Sequence, residues 1–282
     1  MKCIFSVDVE DWFHILDISG APDMSAWETL PSQVSRNFLT LLDLFEEKQV
    51  RVTCFFLGWV AERFPDLVRQ AHRRGHEVAS HGYGHRLVYD MTVAEFSRDI
   101  KRSKHVLEDI IGAPVLGYRA PGFSVTEKTP WFFEALIEAG YRYDSSVFPG
   151  AHGHGGVVAA EARPSLIAGK AGTLIEFPIT TVSVFGRSIC FFGGGYLRLF
   201  PYPLIRTMAR RVLRDGRPVV FYLHPREIDP GHPRLPMGPV RRYKSYVNLA
   251  GVEVKVRRIL DEFEFATFAD LLKDHHLFGE TV

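Results

Sequence analysis

Cys3-Ile4-Phe5-Ser6-Val7-Asp8-Val9-Glu10-Asp11-Trp12-Phe13-His14 decides how the rest of the chain is read, because an apolar run leads straight into three carboxylates and a histidine. Residues 3–9 have the length and character of a buried strand. In α/β folds with a parallel sheet, chemistry gathers at the C-terminal ends of strands. A strand that stops in a cluster of ionisable groups therefore predicts both a fold class and a place for the site.

The same arrangement recurs downstream. Gln33 to Val50 carries Val34, Phe38, Leu41, Leu42 and Phe45 on one helical stripe, and Arg51 to Leu57 is the next strand. Pro65 to Arg74 reads as a helix stopped at Gly75, and His76 to Ser80 as a strand. Thr92-Val93-Ala94-Glu95 is a capping box that opens a long helix ending near Gly112. Val115 to Tyr118 is strand-like, Thr129-Pro130 starts a helix that stops at Gly140, and Tyr141 to Tyr143 is a strand. Residues 149–173, rich in glycine and alanine and holding His152 and His154, read as a long loop or lid. Leu174 to Thr180, helix 203–214, strand 218–223, helix 252–263 and a short helix opened by Thr267 complete the pattern.

The alternation predicts one α/β domain over residues 1–282 with a parallel sheet, and closure into a barrel suits the length. Hydrophobic residues at 46% and charged residues at 24% exclude a disordered or fibrous chain. A formal net charge of +1 gives no electrostatic case for nucleic acid or an anionic membrane as partner. Cys3, Cys54 and Cys190 are too few and too widely spaced for a disulfide framework or a cysteine metal site. With no signal-like apolar core at the N-terminus and no run near the roughly 18 residues that span a bilayer, the expectation is a cytoplasmic protein.

Polar groups follow one apolar strand after another. Beyond the Asp8 to His14 cluster come Ser80-His81-Gly82-Tyr83-Gly84-His85, Tyr118-Arg119-Ala120-Pro121-Gly122-Phe123, Asp144-Ser145-Ser146 and His224-Pro225. Two imidazoles four residues apart share one face if the segment turns helically, a spacing that suits one metal ion. Trp12, Phe13, Tyr83, Phe123, Phe148 and Tyr196 are either walls for a sugar face or core. Gly193 to Gly195 permits close approach of backbone to a ligand, or a tight turn.

In order and spacing, Asp8 with its following acids, His81 to His85, Arg119-Ala120-Pro121 and Leu223-His224 resemble the polysaccharide deacetylases of carbohydrate esterase family 4. Tyr141 to Ser146, Gly193 to Tyr196 and His224 to Pro230 further resemble the branch found with bacterial exopolysaccharide, O-antigen and capsule synthesis. The resemblance implies a single distorted (β/α) barrel and metal-dependent removal of N-acetyl groups from an amino sugar or glycan. It implies Asp8 as general base, Arg119 as its partner, His224 as general acid, and His81 and His85 as metal ligands. The carboxylate ligand is Glu10 or Asp11, because Val9 interrupts the family's adjacent pair of aspartates. Phe123 falls near the family's oxyanion-stabilising N–H, with Gly122 as the other donor, and Asp144 is a candidate support for His224.

The chemistry needs these groups. An amide is a poor electrophile, and two neutral imidazoles with one carboxylate can hold a divalent ion with open positions for water and the acetyl oxygen. That donor set suits zinc and also fits cobalt, nickel or iron. A carboxylate kept ionised by arginine takes the water's proton, and a histidine protonates the leaving amine. Two rival expectations are a cyclic amide hydrolase of the allantoinase kind and a glycan-binding protein that holds metal without turnover.

Overall fold

The computed structural model describes residues 2–16, 18, 20–150, 153–158 and 160–273. Strand β1 (Cys3–Val9) is buried at every position, as a strand covered on both faces must be. α1 (Val34–Glu47) turns Val34, Phe38, Leu41, Leu42 and Phe45 inward, the stripe read from the sequence. β2 (Thr53–Phe56), α2 (Gly58–Arg63), α3 (Pro65–Arg73) and β3 (Glu77–Ser80) follow. α4 (Val93–Ile111) starts at the Thr92/Glu95 capping box and stops at Gly112, whose φ of +66° supplies the left-handed cap. β4 (Gly117–Tyr118), α5 (Phe132–Glu138) and β5 (Tyr143–Asp144) extend the alternation.

The later part contains elements the sequence reading did not anticipate. β6 (Ser165–Gly169) lies inside the expected lid of 149–173 and pairs antiparallel with β7 (Gly172–Glu176). β8 (Thr181–Val184) and β9 (Arg187–Cys190) form a separate hairpin, and α6 (Gly194–Leu199) starts in the glycine run. Helix α7 (Tyr202–Arg214), strand β10 (Val220–Leu223), α8 (Pro239–Tyr246), α9 (Val252–Glu262), β11 (Phe265–Ala266) and α10 (Phe268–Leu271) follow. His152 of the expected lid lies outside the described residues.

The main sheet runs β10-β1-β2-β3-β4-β5-β7-β6, with β11 added against β1 and only β6 antiparallel. β10 and β6 stand at opposite ends, so the sheet is a curled half-barrel rather than the closed barrel the length suggested. Beyond β10 the chain adds one bridge, Gly193 to Tyr222, which explains the first glycine of that run. A Cβ at 193 would lie 2.0 Å from the Tyr222 ring. Among the described residues, no helix is long and apolar enough to cross a membrane.

Two outcomes follow from this packing. Gly193→Ala should destabilise the fold by about 1–3 kcal/mol through overpacking, read as a lower urea midpoint at unchanged m-value. His76 sits ahead of β3, where its Nδ1 accepts the Val52 N–H at 3.3 Å. Burial, with Arg74 and Arg51 nearby, holds its pKa down from 6.5 to about 4. The unfolded chain therefore binds a proton there that the folded chain refuses, and stability is lost as pH falls from about 6.5 toward 4. Urea midpoints at pH 7 and pH 4.5 should differ more in the wild type than in His76→Gln; equal differences would remove His76 from the acid response.

Candidate active site

Strand ends β1, β3, β4 and β10 converge on one cavity of about 420 Å³ lined by Asp8, Glu10, His14, His81, His85, Phe123, Tyr196 and His224, among others. Its organising group is Arg119, directly after β4 and wholly buried. Its Nη1 donates to Asp8 Oδ1 at 2.7 Å and to Ser6 Oγ at 2.8 Å, both on β1. Its Nε donates to the Ser145 carbonyl at 3.2 Å, and its guanidinium lies 4.1 Å over the Phe55 ring of β2. The backbone carbonyl of the same residue accepts His81 Nδ1–H at 2.8 Å. One residue thereby fixes an acid and an imidazole.

The hydrogen bond at His81 Nδ1 leaves the lone pair of a neutral ring on Nε2, the form a metal ligand needs. Burial and His85 hold the His81 pKa down to about 3. His81 and His85 do not share a helical face as the spacing suggested. The segment is an irregular turn with Gly82 at φ +72° and His85 at φ +51°, pinned where Asp99 accepts the N–H groups of Tyr83 and Gly84. The turn brings the two rings to a centroid distance of 5.5 Å.

Glu10, His81 and His85 are buried, with one ligand atom from each lying within 4.8 Å of the others. His85 Nε2 is 2.6 Å from Glu10 Oε2, an oxygen with no hydrogen-bond partner of its own. Burial alone would raise the Glu10 pKa, but His85, His224 and Arg226 hold it well below the usual carboxylate range. Two imidazoles and an ionised carboxylate with an uncommitted oxygen are a donor set that fits a divalent cation.

Asp11, the other carboxylate considered for this role, is committed elsewhere. Its side chain caps the turn at Trp12 and accepts from Ser32 Oγ and the N–H groups of Gln33 and Val34, so it anchors the start of α1. Three further expectations are corrected. Tyr83 points away from the cavity, its hydroxyl donating to Glu62 at 2.8 Å and its ring covered by Arg102. Asp144 lies beneath the site, accepting from Ser146 N–H and Oγ, and burial raises the pKa of both Asp144 and neighbouring Glu176. The Phe123 N–H closes a turn onto the Ala120 carbonyl at 3.1 Å and is not available as an oxyanion donor, although the Phe123 ring does line the cavity.

The partner of His224 is Glu227, whose Oε2 accepts Nδ1–H at 3.0 Å and the His224 backbone N–H at 2.9 Å. The His-x-x-Glu spacing at the end of β10 was the sequence signal for it. His224 Nε2 then faces Glu10 Oε1 at 3.5 Å and Asp8 Oδ2 at 3.9 Å. Burial lowers its pKa to about 4, with Arg226 adding to the effect.

His14, left without a role in the sequence reading, also lines the cavity. Its Nδ1 accepts the Asp11 N–H at 3.0 Å, and its ring is wedged 4.3 Å from Trp27 and 4.6 Å from Phe13. Trp12 and Phe13 are core, whereas Tyr196 stays partly exposed at the cavity mouth.

Comparison with known proteins now adds the family. A peptidoglycan deacetylase of Helicobacter pylori is 29% identical over 43% of this chain. A peptidoglycan-N-acetylglucosamine deacetylase of Bacillus cereus is 29% identical over 36%. The matched stretches span less than half the length of these relatives, 42% and 46%. The crystal structure of a putative polysaccharide deacetylase from Mycobacterium smegmatis superposes with a TM-score of 0.65 at 21% identity, covering 98% of this chain and 89% of that one. The sequence models of two families match in tandem, "Polysaccharide deacetylase" over residues 24–143 and "Domain of unknown function (DUF3473)" over residues 145–273. Residues 24–143 thus match the polysaccharide deacetylase family, and residues 145–273 match the domain of unknown function.

Proposed function

We propose that this protein is a metal-dependent hydrolase that removes the N-acetyl group from an amino sugar during the synthesis of a bacterial surface polysaccharide, on the cytoplasmic side. The observation that carries the reading is the convergence of Asp8 bound to Arg119, His224 bound to Glu227, and the Glu10/His81/His85 cluster on one cavity. The deacetylase names of the matched relatives and the family model over residues 24–143 support it.

Glu10, His81 and His85 would hold the ion, with zinc the first candidate for this donor set. When bound, such an ion supplies a Lewis acid for the acetyl carbonyl and an acidified water. Asp8 Oδ2, not engaged by Arg119, takes the water's proton, and the guanidinium keeps the carboxylate aimed. His224 Nε2, 3.9 Å from Asp8 Oδ2, is the group that hands a proton to the departing sugar amine. Burial keeps the ring neutral at rest, with its proton on Nδ1 toward Glu227. The proton that Nε2 passes to the amine is therefore the one Asp8 Oδ2 has taken from the water, and the ring is charged only during that transfer. Glu227 stabilises that transient imidazolium and fixes its orientation.

Separate roles predict separate losses. His81→Ala should lose the bound metal, measured by plasma mass spectrometry on protein reconstituted with zinc, and lose acetate release with it. Asp8→Asn and His224→Ala should keep about one equivalent of metal, while acetate release falls about 10²- to 10⁴-fold. Glu227→Gln should keep metal and lower kcat more than it raises KM. Full activity in Asp8→Asn, or ring opening of a cyclic amide without acetate release, would overturn the reading.

A further inference from the structure

The domain of unknown function contributes more to the cavity than His224. Helix α6, the turn 225–228 and helix α8 bring Arg198, Arg226, Arg241 and Lys244 to the same wall. The nearby carboxylates do not balance them. Asp8 is matched by Arg119, Glu227 is paired with Arg198, and Glu10 belongs to the metal cluster.

Lys244 is exposed to solvent, so the excess charge within the wall falls on Arg226 and Arg241. The Arg226 side chain is 11% exposed, and its nearest carboxylate oxygen, Glu10 Oε1, is 3.9 Å from Nε, beyond hydrogen-bond reach. Its Nε and Nη1 are buried with no hydrogen-bond partner, and so is Arg241 Nε. Arg241 is nevertheless fixed in place, since its Nη2 donates to the Leu16 carbonyl at 2.8 Å. Buried donors in native proteins are almost always satisfied, so three unmet guanidinium nitrogens on one cavity wall call for an acceptor that comes from outside the chain. The fork of a guanidinium matches the paired oxygens of a phosphate or carboxylate.

We infer that residues 145–273 form an anion subsite beside the catalytic centre, built on Arg226 and Arg241, and that the acetylated sugar carries a phosphate or carboxylate that docks there. The inference rests on the deacetylase reading and narrows its substrate class. A neutral sugar could accept from these donors through its hydroxyls but would leave the charge of both guanidinium groups unbalanced, whereas an anionic one offsets it.

The test compares three probes on zinc-loaded protein: N-acetylglucosamine 1-phosphate, the methyl glycoside of N-acetylglucosaminuronic acid, and the neutral methyl glycoside of N-acetylglucosamine. Acetate release is followed together with binding by calorimetry. At least one anionic probe should exceed the neutral one by about 10- to 100-fold in kcat/KM, the range expected of charge-assisted hydrogen bonds. Whichever anion leads identifies phosphate or carboxylate as the docking group. In the Arg226→Gln/Arg241→Gln double variant the ratio should fall toward one.

Equal turnover of all three probes by the wild type would overturn the subsite while leaving the deacetylase reading intact, and it needs no variant to fold. Tight binding of an anionic probe that is lost in the double variant, without acetate from any probe, would uphold the subsite and sink the deacetylase reading. A preference that survives the double variant would also overturn the assignment.

Discussion

A single guanidinium crosses the inside of the curled sheet and ties it to its chemistry. Arg119 follows β4, yet it bonds to Ser6 and Asp8 on β1, passing over Phe55 of β2 on the way. In sheet order two strands separate its origin from its target, so the contact exists only because the sheet curls. Burying this charge costs free energy that pairing recovers, and removing one partner of a buried pair typically costs about 3–5 kcal/mol. The Asp8 carboxylate is thus a structural counter-ion. The Arg119 carbonyl sets the tautomer of His81, which links Asp8 and the Glu10/His81/His85 cluster through one position.

Much of this was legible in the sequence because regular elements announce themselves locally. The apolar run of β1, the stripe of α1 and the Thr92 capping box each depend on neighbours within a few residues, and each stands where it was expected. The strand-end rule located Asp8, Glu10, His81, His85, Arg119 and His224. Choices between neighbours were not legible. Whether Glu10 or Asp11 faces the cluster depends on the turn after β1, and Asp11 is drawn away by the start of a helix more than twenty residues later. Tyr83 was misread for a similar reason, since its direction is set by Asp99 on α4. Strand β6 within residues 149–173 was hidden by the glycines and alanines of that stretch, which weaken the period-two signal of a strand.

The two family matches divide the chain near residue 144, but the molecule does not divide there. β5 pairs with β7 across the boundary, and β1 pairs with β10. The site draws Asp8 and Glu10 from before the first match, His81, His85 and Arg119 from within it, and His224 with its arginine-rich surroundings from the second. The ionisable groups of the cavity therefore come from three sequence regions, and its arginine-rich wall from the last of them.

The position of β1 between β2 and β10 also bears on how the molecule is assembled. β1 is central in the finished sheet, yet its partner Val220–Leu223 is made more than two hundred residues after it. Parallel pairings at such separation close large loops and fold slowly. Until β10 has been made, one edge of β1 has its N–H and C=O groups unpaired beside an apolar surface, the condition in which chains aggregate. The cavity obeys the same timing: Asp8 and Arg119 can meet once β1 to β4 have formed, but His224 arrives with β10, so a chain lacking β10 would hold the Asp8–Arg119 pair and the Glu10/His81/His85 cluster without the His224–Glu227 pair.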